Sequence, residues 1–425
     1  MSLYFEPLDC TSIYTYVEIP HSSELNITDE FTIFARIYVE RYGEGLRDIL
    51  VKAPSTAWQP ANFRFGINAG SPALRFVHGD GTVNESWVSS VLKLNTWYDV
   101  AVTNDGFYIN GEFDNPISIT LDWYSNTAPV RVGLCCGGAQ RNVFHGIISD
   151  VMLFKRKLSQ TEINELRKGN VDTNDDSLVL YLPLNHRFGK KAIDYSKYGN
   201  HGTIVNARWV CEFQKGLRFH EKRKSYIEVP DDPVLRCDAN NQFTVACIAN
   251  LRKVEGGLLA RFLVRKGTDW DKGFGLYYHT GKDEVGCRVC FDAVTRIGTS
   301  TPRESGWHMY VGGYDGSKAW IGIDGEWVNS ATNTSGLDMM DTTGMPVRIG
   351  GNARARNISG EIAAVYMWNR FLSADEIWEL YKNPDKPPAK DNLVLWLPLS
   401  ERYGNLVIDR SGYGNNGKAV STEWV

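Results

Sequence analysis

Residues 178–210 read LVLYLPLNHRFGKKAIDYSKYGNHGTIVNARWV, and residues 393–425 read LVLWLPLSERYGNLVIDRSGYGNNGKAVSTEWV. The two align without a gap and are identical at 18 of 33 positions. Each opens on an apolar run closed by proline, Pro183 or Pro398, as a buried strand would be. Each then sets Asp, Ser, Tyr-Gly-Asn and Gly in fixed order before ending in Trp-Val. A self-match of this length marks a tandem duplication, so the rest of the chain is read twice.

Working outward, a helical pattern precedes each copy. KLSQTEINELRKG (157–169) places Ser159 three residues before Glu162, a capping box, and FLSADEIWELYKN (371–383) repeats it with Ser373 and Glu376. Ile163 with Leu166, and Ile377 with Leu380, give each short helix one apolar edge. Before each helix comes a strand, GIISDVMLF (146–154) or GEIAAVYMW (360–368), and before that PVRVG (129–133) or PVRIG (346–350). TWYDVAVTNDGFYINGE (96–112) and GWHMYVGGYDGSKAWIGIDGE (306–326) read as hairpins turning at Asp105-Gly106 and Asp315-Gly316. Nearest the start of each half, 16–37 and 226–248 alternate apolar and polar residues around a polar loop, giving strand, loop, strand. Many short strands, glycine-rich turns and one helix per half predict an all-β protein of two tandem antiparallel β-sandwiches.

Composition agrees with this reading. A chain of 425 residues suits two domains, and 43% hydrophobic with 12% aromatic content supports two real cores. A net charge of -4 gives no basic footprint for nucleic acid, and no run of 18 apolar residues predicts a membrane-spanning helix. The opening MSLYFEPLDC has neither a basic nor an apolar leader segment, so no secretory leader is expected. The eight cysteines do not recur between the halves, and Cys287 and Cys290, three apart in a strand, face opposite sides; reduced cysteines are expected.

In this order the motifs resemble the concanavalin A-like, laminin-G-like jelly-roll domains. The chain supplies Asp194, Ser196, Gly199, Asn200 and Gly202, then Tyr226 to Pro230, Trp307, Asp315-Gly316, and Gly360 through Ile377. The first half supplies Tyr16 to Pro20, Trp97 to Val102, Asp105-Gly106, and Gly146 through Ile163. The resemblance implies jelly rolls. In such families the D-x-S-x-x-G-N segment usually opens the domain, whereas here the last copy ends the second half. Units of 1–210 and 211–425 are expected. The alternative takes 178–388 as one domain, with the last copy completing the first domain by strand exchange.

The resemblance also implies calcium, held by an aspartate in the strand before the helix. The matching positions are Ser149 and Ala363, neither a carboxylate, and Asp150 lies one residue on, on the opposite face. Asp231, Asp232 and Asp80 remain as loop carboxylates able to ligate a hard cation. Lectin-type binding needs an aromatic face with polar groups around it, and Trp58 and Trp270 sit at matching loop positions with such neighbours. Trp87 and Trp123 are further loop candidates. Trp97, Trp307, Trp209 and Trp424 fall inside the fold's own pattern and are read as capping the core edge. The glucanases of this fold carry E-x-D-x-x-E on one strand face. Glu112-Phe113-Asp114 begins that string, but residue 117 is Ile, so no catalytic pair is expected.

These readings point to a non-catalytic structural or binding protein on an exterior surface. A virus or phage particle component (a decoration, turret or tail part) in contact with glycans is the first expectation. A lectin-like adhesin of a cell surface is the alternative. The partners expected are other subunits in an oligomeric assembly and glycans, without nucleic acid.

Overall fold

Runs that alternate apolar and polar residues, such as YVEI and YIEV, and continuous apolar runs, such as LVLYL and LVLWL, all form strands. The computed structural model describes the chain apart from residues 1, 7–13, 43–44, 55–60, 80–83, 135–142, 211–215, 238–239, 255–259, 268–271, 293–294 and 352–356. It divides into two units, Met1–Cys211 and Glu212–Val425. In the first, one antiparallel sheet runs Glu112–Pro116, Gly106–Ile109, Trp97–Thr103, Thr32–Val39, Gly146–Phe154, Leu3–Phe5 and Arg208–Trp209 in hydrogen-bonded order. Leu178–Leu182 also pairs with Gly146–Phe154. The facing sheet runs Lys191–Ala192, Gly202–Val205, Tyr16–Ile19, Val130–Val132, Arg47–Lys52, Phe63–Ile67, Ala73–Gly79 and Asn84–Val91. The second unit repeats both orders, so the chain is all-β, two tandem antiparallel jelly-roll sandwiches.

The period of two decides what lies between the sheets. Ile33, Ala35 and Ile37 from one sheet meet Phe63, Phe65 and Phe76 from the other in the buried core, while Arg36 and Arg64 point away from it. Each such large apolar side chain contributes about 1.5–3 kcal/mol on burial. Outside the first sheet lies helix α1 (Gln160–Arg167), whose Ile163 and Leu166 cover Phe34, Met152 and Leu178. Helix α2 (Ala374–Lys382) is its counterpart and buries Ile377, Leu380 and Tyr381. Both capping boxes are formed, on Ser159 with Glu162 and on Ser373 with Glu376. Two turns would not hold as an isolated helix, so packing and caps together keep them. The arginine at the preceding strand's end adds to this: Arg156 Nη1 donates to Glu162 Oε1 at 2.6 Å, and Arg370 Nη1 to Glu376 Oε2 at 2.9 Å.

The duplicated stretch threads both sheets of its own unit. Leu178–Leu182 joins the helix-side sheet, Gly202–Val205 pairs with Tyr16–Ile19 across the core, and Arg208–Trp209 returns to Leu3–Phe5. The last copy does the same: Leu393–Leu397 pairs with Gly360–Trp368, Gly417–Val420 with Tyr226–Val229, and Glu423–Trp424 with Leu217–Phe219. Each copy therefore closes the sandwich that precedes it in the chain.

One aromatic departs from its expected place. Trp307 and Trp209 are buried, but Trp97 is 44% exposed. It pairs with Tyr38 across the strands, and its ring lies against the Tyr38 ring at 5.6 Å rather than in the core. Cys247 and Cys287 are buried thiols, and burial pushes Cys287 up to about 12. No helix among the described residues is long and apolar enough to cross a membrane.

Candidate functional site

At one end of each sandwich a lysine closes the strand that runs beside the PVRV or PVRI segment. Lys52 is fully buried; its Nζ donates to Ala128 O at 2.6 Å and lies 3.1 Å from His21 Nδ1. Lys266 repeats this in the second unit, donating to Met345 O and to Asp231 Oδ1. A resident ammonium thus occupies the centre of each loop cluster. Burial lowers Lys52 to about 8, and burial with the ammonium beside it lowers His21 below the ordinary imidazole range.

The depressed lysine has a testable consequence. Between about pH 8 and the ordinary lysine value the unfolded chain binds the proton that folded Lys52 has released, so stability rises with pH across that window. The full effect is about 3 kcal/mol. In urea titrations between pH 7.5 and 10, the first unit of the wild type is expected to gain stability relative to Lys52→Met; equal slopes would overturn this.

The loop carboxylates are committed elsewhere. Asp231 accepts from Arg236 Nη2 at 2.8 Å, from the Gly344 N–H at 2.8 Å, and from Lys266. Burial works to raise this carboxyl, but those bonds outweigh it and hold it well below the usual carboxylate range. Asp232 caps a short 3₁₀ turn, accepting from Val234 N–H at 3.0 Å. Asp80 lies outside the described residues. Asp150 sits at a β-bulge with φ +50° and turns its carboxylate to Ser149 Oγ at 2.7 Å and Arg36 at 3.8 Å, on the helix-side face. Among the described residues no three His, Cys, Asp or Glu side chains gather as a metal site would require. For a cation to use Asp231 it would have to displace two positive groups, which Coulomb repulsion opposes.

Trp58 and Trp270 lie outside the described residues. Trp87 and Trp123, far apart in sequence, come together around buried His78. Trp87 stacks on His78 at 6.0 Å and on Phe76 at 6.2 Å, and Trp123 lies 4.5 Å from His78 and 5.4 Å from Phe31. Both are partly buried and pack against the core, which occupies one ring face of each. Directly after Trp123 the chain forms what the sequence reading passed over: a pocket of about 550 Å³ lined by Tyr124, Asn126, Thr127, Arg131 and Pro54. Asn126 shapes its wall by accepting from Ala128 N–H at 3.0 Å, while its own N–H bonds Asn26 Oδ1 at 3.2 Å. Arg131 is held by Glu18 at 2.9 Å. Pro54, at the pocket's edge, is the last described residue before the stretch 55–60 that includes Trp58. A signal was available: 124–129 is a polar Ser-Asn-Thr run between an aromatic pair and a proline.

An acid–nucleophile pair is not assembled around Glu112. Its Oε2 accepts from Gln160 at 3.1 Å, Asp114 accepts from the Ser90 N–H at 2.7 Å, and Ile117 is buried.

The family profile described as "Concanavalin A-like lectin/glucanases superfamily" matches residues 11–164 and 221–378. No curated protein sequence matches the chain. Among solved structures, the chain is similar to domains LG4-5 of the mouse laminin alpha1 chain, at 12% identity over 86% of this chain and 88% of that one, with a TM-score of 0.30. A candidate carbohydrate-binding protein of Bacteroides ovatus is similar at 13% identity over 100% and 97%, with a TM-score of 0.38. A pentraxin of Limulus polyphemus is similar at 13% identity over 48% and 94%, with a TM-score of 0.31. With its profile matched once in each unit and over more than half its length, the chain belongs to the concanavalin A-like lectin/glucanases superfamily.

Proposed function

We propose that the protein is a non-catalytic carbohydrate-binding protein with its primary site at the loop end of the first unit. One observation carries the reading: Tyr124, Asn126, Thr127 and Arg131 line an open pocket together with Pro54, four residues before Trp58 in the sequence. An aromatic face with amide, hydroxyl and guanidinium groups is the chemistry that holds a sugar ring. Trp270, at the matching position of the second unit, is proposed as its counterpart. Calorimetry with a panel of neutral oligosaccharides tests this. Trp58→Ala and Tyr124→Ala are each expected to weaken binding at least tenfold without any saccharide turnover, and undiminished binding in both would refute the site.

We further propose that the protein is displayed on an exterior surface as part of a virus or phage particle. A specific feature supports a protein contact surface. Tyr403, Leu406 and Tyr413 are 82%, 55% and 48% exposed, whereas Phe188, the first copy's counterpart of Tyr403, is 2% exposed. Leu406–Val407 is also the edge strand of its sheet. Immunogold labelling that marks cell envelopes and no particles would replace this with the adhesin reading.

A further inference from the structure

The outer face of the second unit's facing sheet differs from that of the first in one row. Following the registers across neighbouring strands, the second unit reads Glu228, Arg348, Arg265, Gly275, Arg288, Gly298. The matching row of the first reads Glu18, Arg131, Val51, Arg64, Val77, Ser86. The Glu–Arg pair at the start is kept in both, at 2.9 Å for Arg131 and 3.0 Å for Arg348. Beyond it, apolar residues give way to arginines and bulkier residues to glycines.

The result is a recess of about 330 Å³ lined by Tyr277, Arg288, Arg296, Ile297 and Gly298. Its shape follows from the glycines. A Cβ on Gly286 would lie 2.5 Å from the Tyr277 ring, so only glycine lets that ring lie down on the sheet. Gly298, whose absent side chain leaves the floor open, has the Tyr277 hydroxyl 3.9 Å from where its Cβ would be. Beneath one side, Arg265 is 1% exposed, anchored to Lys272 O at 2.6 Å, and contributes a fixed positive charge. Burial, followed by repulsion from Arg296 and Arg265, works to lower Arg288 below the ordinary guanidinium range. An anion entering the recess meets Arg288 and Arg296, and guanidinium–oxyanion bonds are the strong charge-assisted kind.

We infer that this recess is a second binding site, selective for an acidic sugar residue: its carboxylate or sulfate meets Arg288 and Arg296 while its ring lies against Tyr277. The anionic half stands on the arginine geometry alone; the sugar half rests on the carbohydrate reading above.

The test uses the full chain and matched probes: glucuronate-containing and glucose-containing oligosaccharides of equal length, a sulfated counterpart, and inorganic sulfate. The acidic oligosaccharides are expected to bind at least tenfold more tightly than the neutral one. Arg296→Glu and Gly298→Leu should remove that preference, since residue 296 is exposed and a side chain at 298 fills the floor. Trp58→Ala, which weakens the neutral probe, should leave the binding of inorganic sulfate intact. Carboxylated and sulfated probes compared with each other identify which anion fits. Equal affinity for acidic and neutral probes overturns the inference, as does an acidic preference that survives both variants. Sulfate binding lost in Arg296→Glu with no saccharide bound would refute the sugar half and keep the anion pocket.

Discussion

Asp409→Ala is expected to destabilise the second unit by about 4 kcal/mol, and Asp194→Ala the first by the same amount. These aspartates head the motif that the duplicated stretch repeats. Asp194 is 4% exposed and accepts four hydrogen bonds: Tyr181 N–H at 2.8 Å, Ser196 N–H at 2.9 Å, Ser196 Oγ at 2.7 Å and Asn200 N–H at 2.6 Å. Asp409 accepts the equivalent four from Trp396 N–H, Ser411 N–H, Ser411 Oγ and Asn415 N–H, at 2.9, 2.9, 2.7 and 2.8 Å. The asparagine completes the knot, Asn200 Nδ2 donating to Val179 O at 2.9 Å and Asn415 Nδ2 to Val394 O at 3.0 Å. Alanine would leave three backbone N–H groups without an acceptor, at about 1–3 kcal/mol each. Because each copy closes its own sandwich, the damage should stay local. Hydrogen exchange on the full chain should rise across 1–211 in Asp194→Ala and across 212–425 in Asp409→Ala. Loss of protection in the wrong unit would contradict the pairing described above.

The second large effect is expected at Gly146 and Gly360, the first residues of the two central strands. Their φ values, +138° and +146°, already disfavour any side chain. Close approach makes the matter worse. A Cβ on Gly146 would stand 1.9 Å from Tyr38 O, and one on Gly360 2.2 Å from Asn250 O. Backbone on an adjacent paired strand cannot swing aside as a side chain could. Either glycine to alanine is expected to cost about 4 kcal/mol or more, through separation of the central strand pair. Gly169→Ala separates the two causes. Its φ is +85° but nothing lies within 4 Å, so only backbone strain remains, about 1 kcal/mol. Thermal denaturation of the three variants checks the order, and an equal loss in all of them would show that crowding contributes nothing.

Much of this architecture was legible because it is local or repeated. Period-two alternation in FRFGI places Phe63 and Phe65 inward and Arg64 outward, whatever the partner strand. Ser159 and Glu162 cap a helix because the bonds they make span three residues. The tryptophans show the limit. Trp97 and Trp307 both open their strands, yet one is 44% exposed and the other 6%, a difference that a motif listing them at the same place could not show. Trp87 and Trp123 looked like separate loop residues, and only the fold brings both against His78.

The sequence by itself determined the duplication, the all-β class, the two helices with their caps, and the concanavalin A-like family, since each rests on short-range pattern or on the order of motifs. Tertiary structure alone decided which sandwich each copy of the repeat closes, that Lys266 and Arg236 claim Asp231, and that Arg288, Arg296 and Tyr277 share one recess. These depend on pairing between strands distant in the chain. Register across a sheet is set by how two buried faces fit together, and no window of sequence contains both.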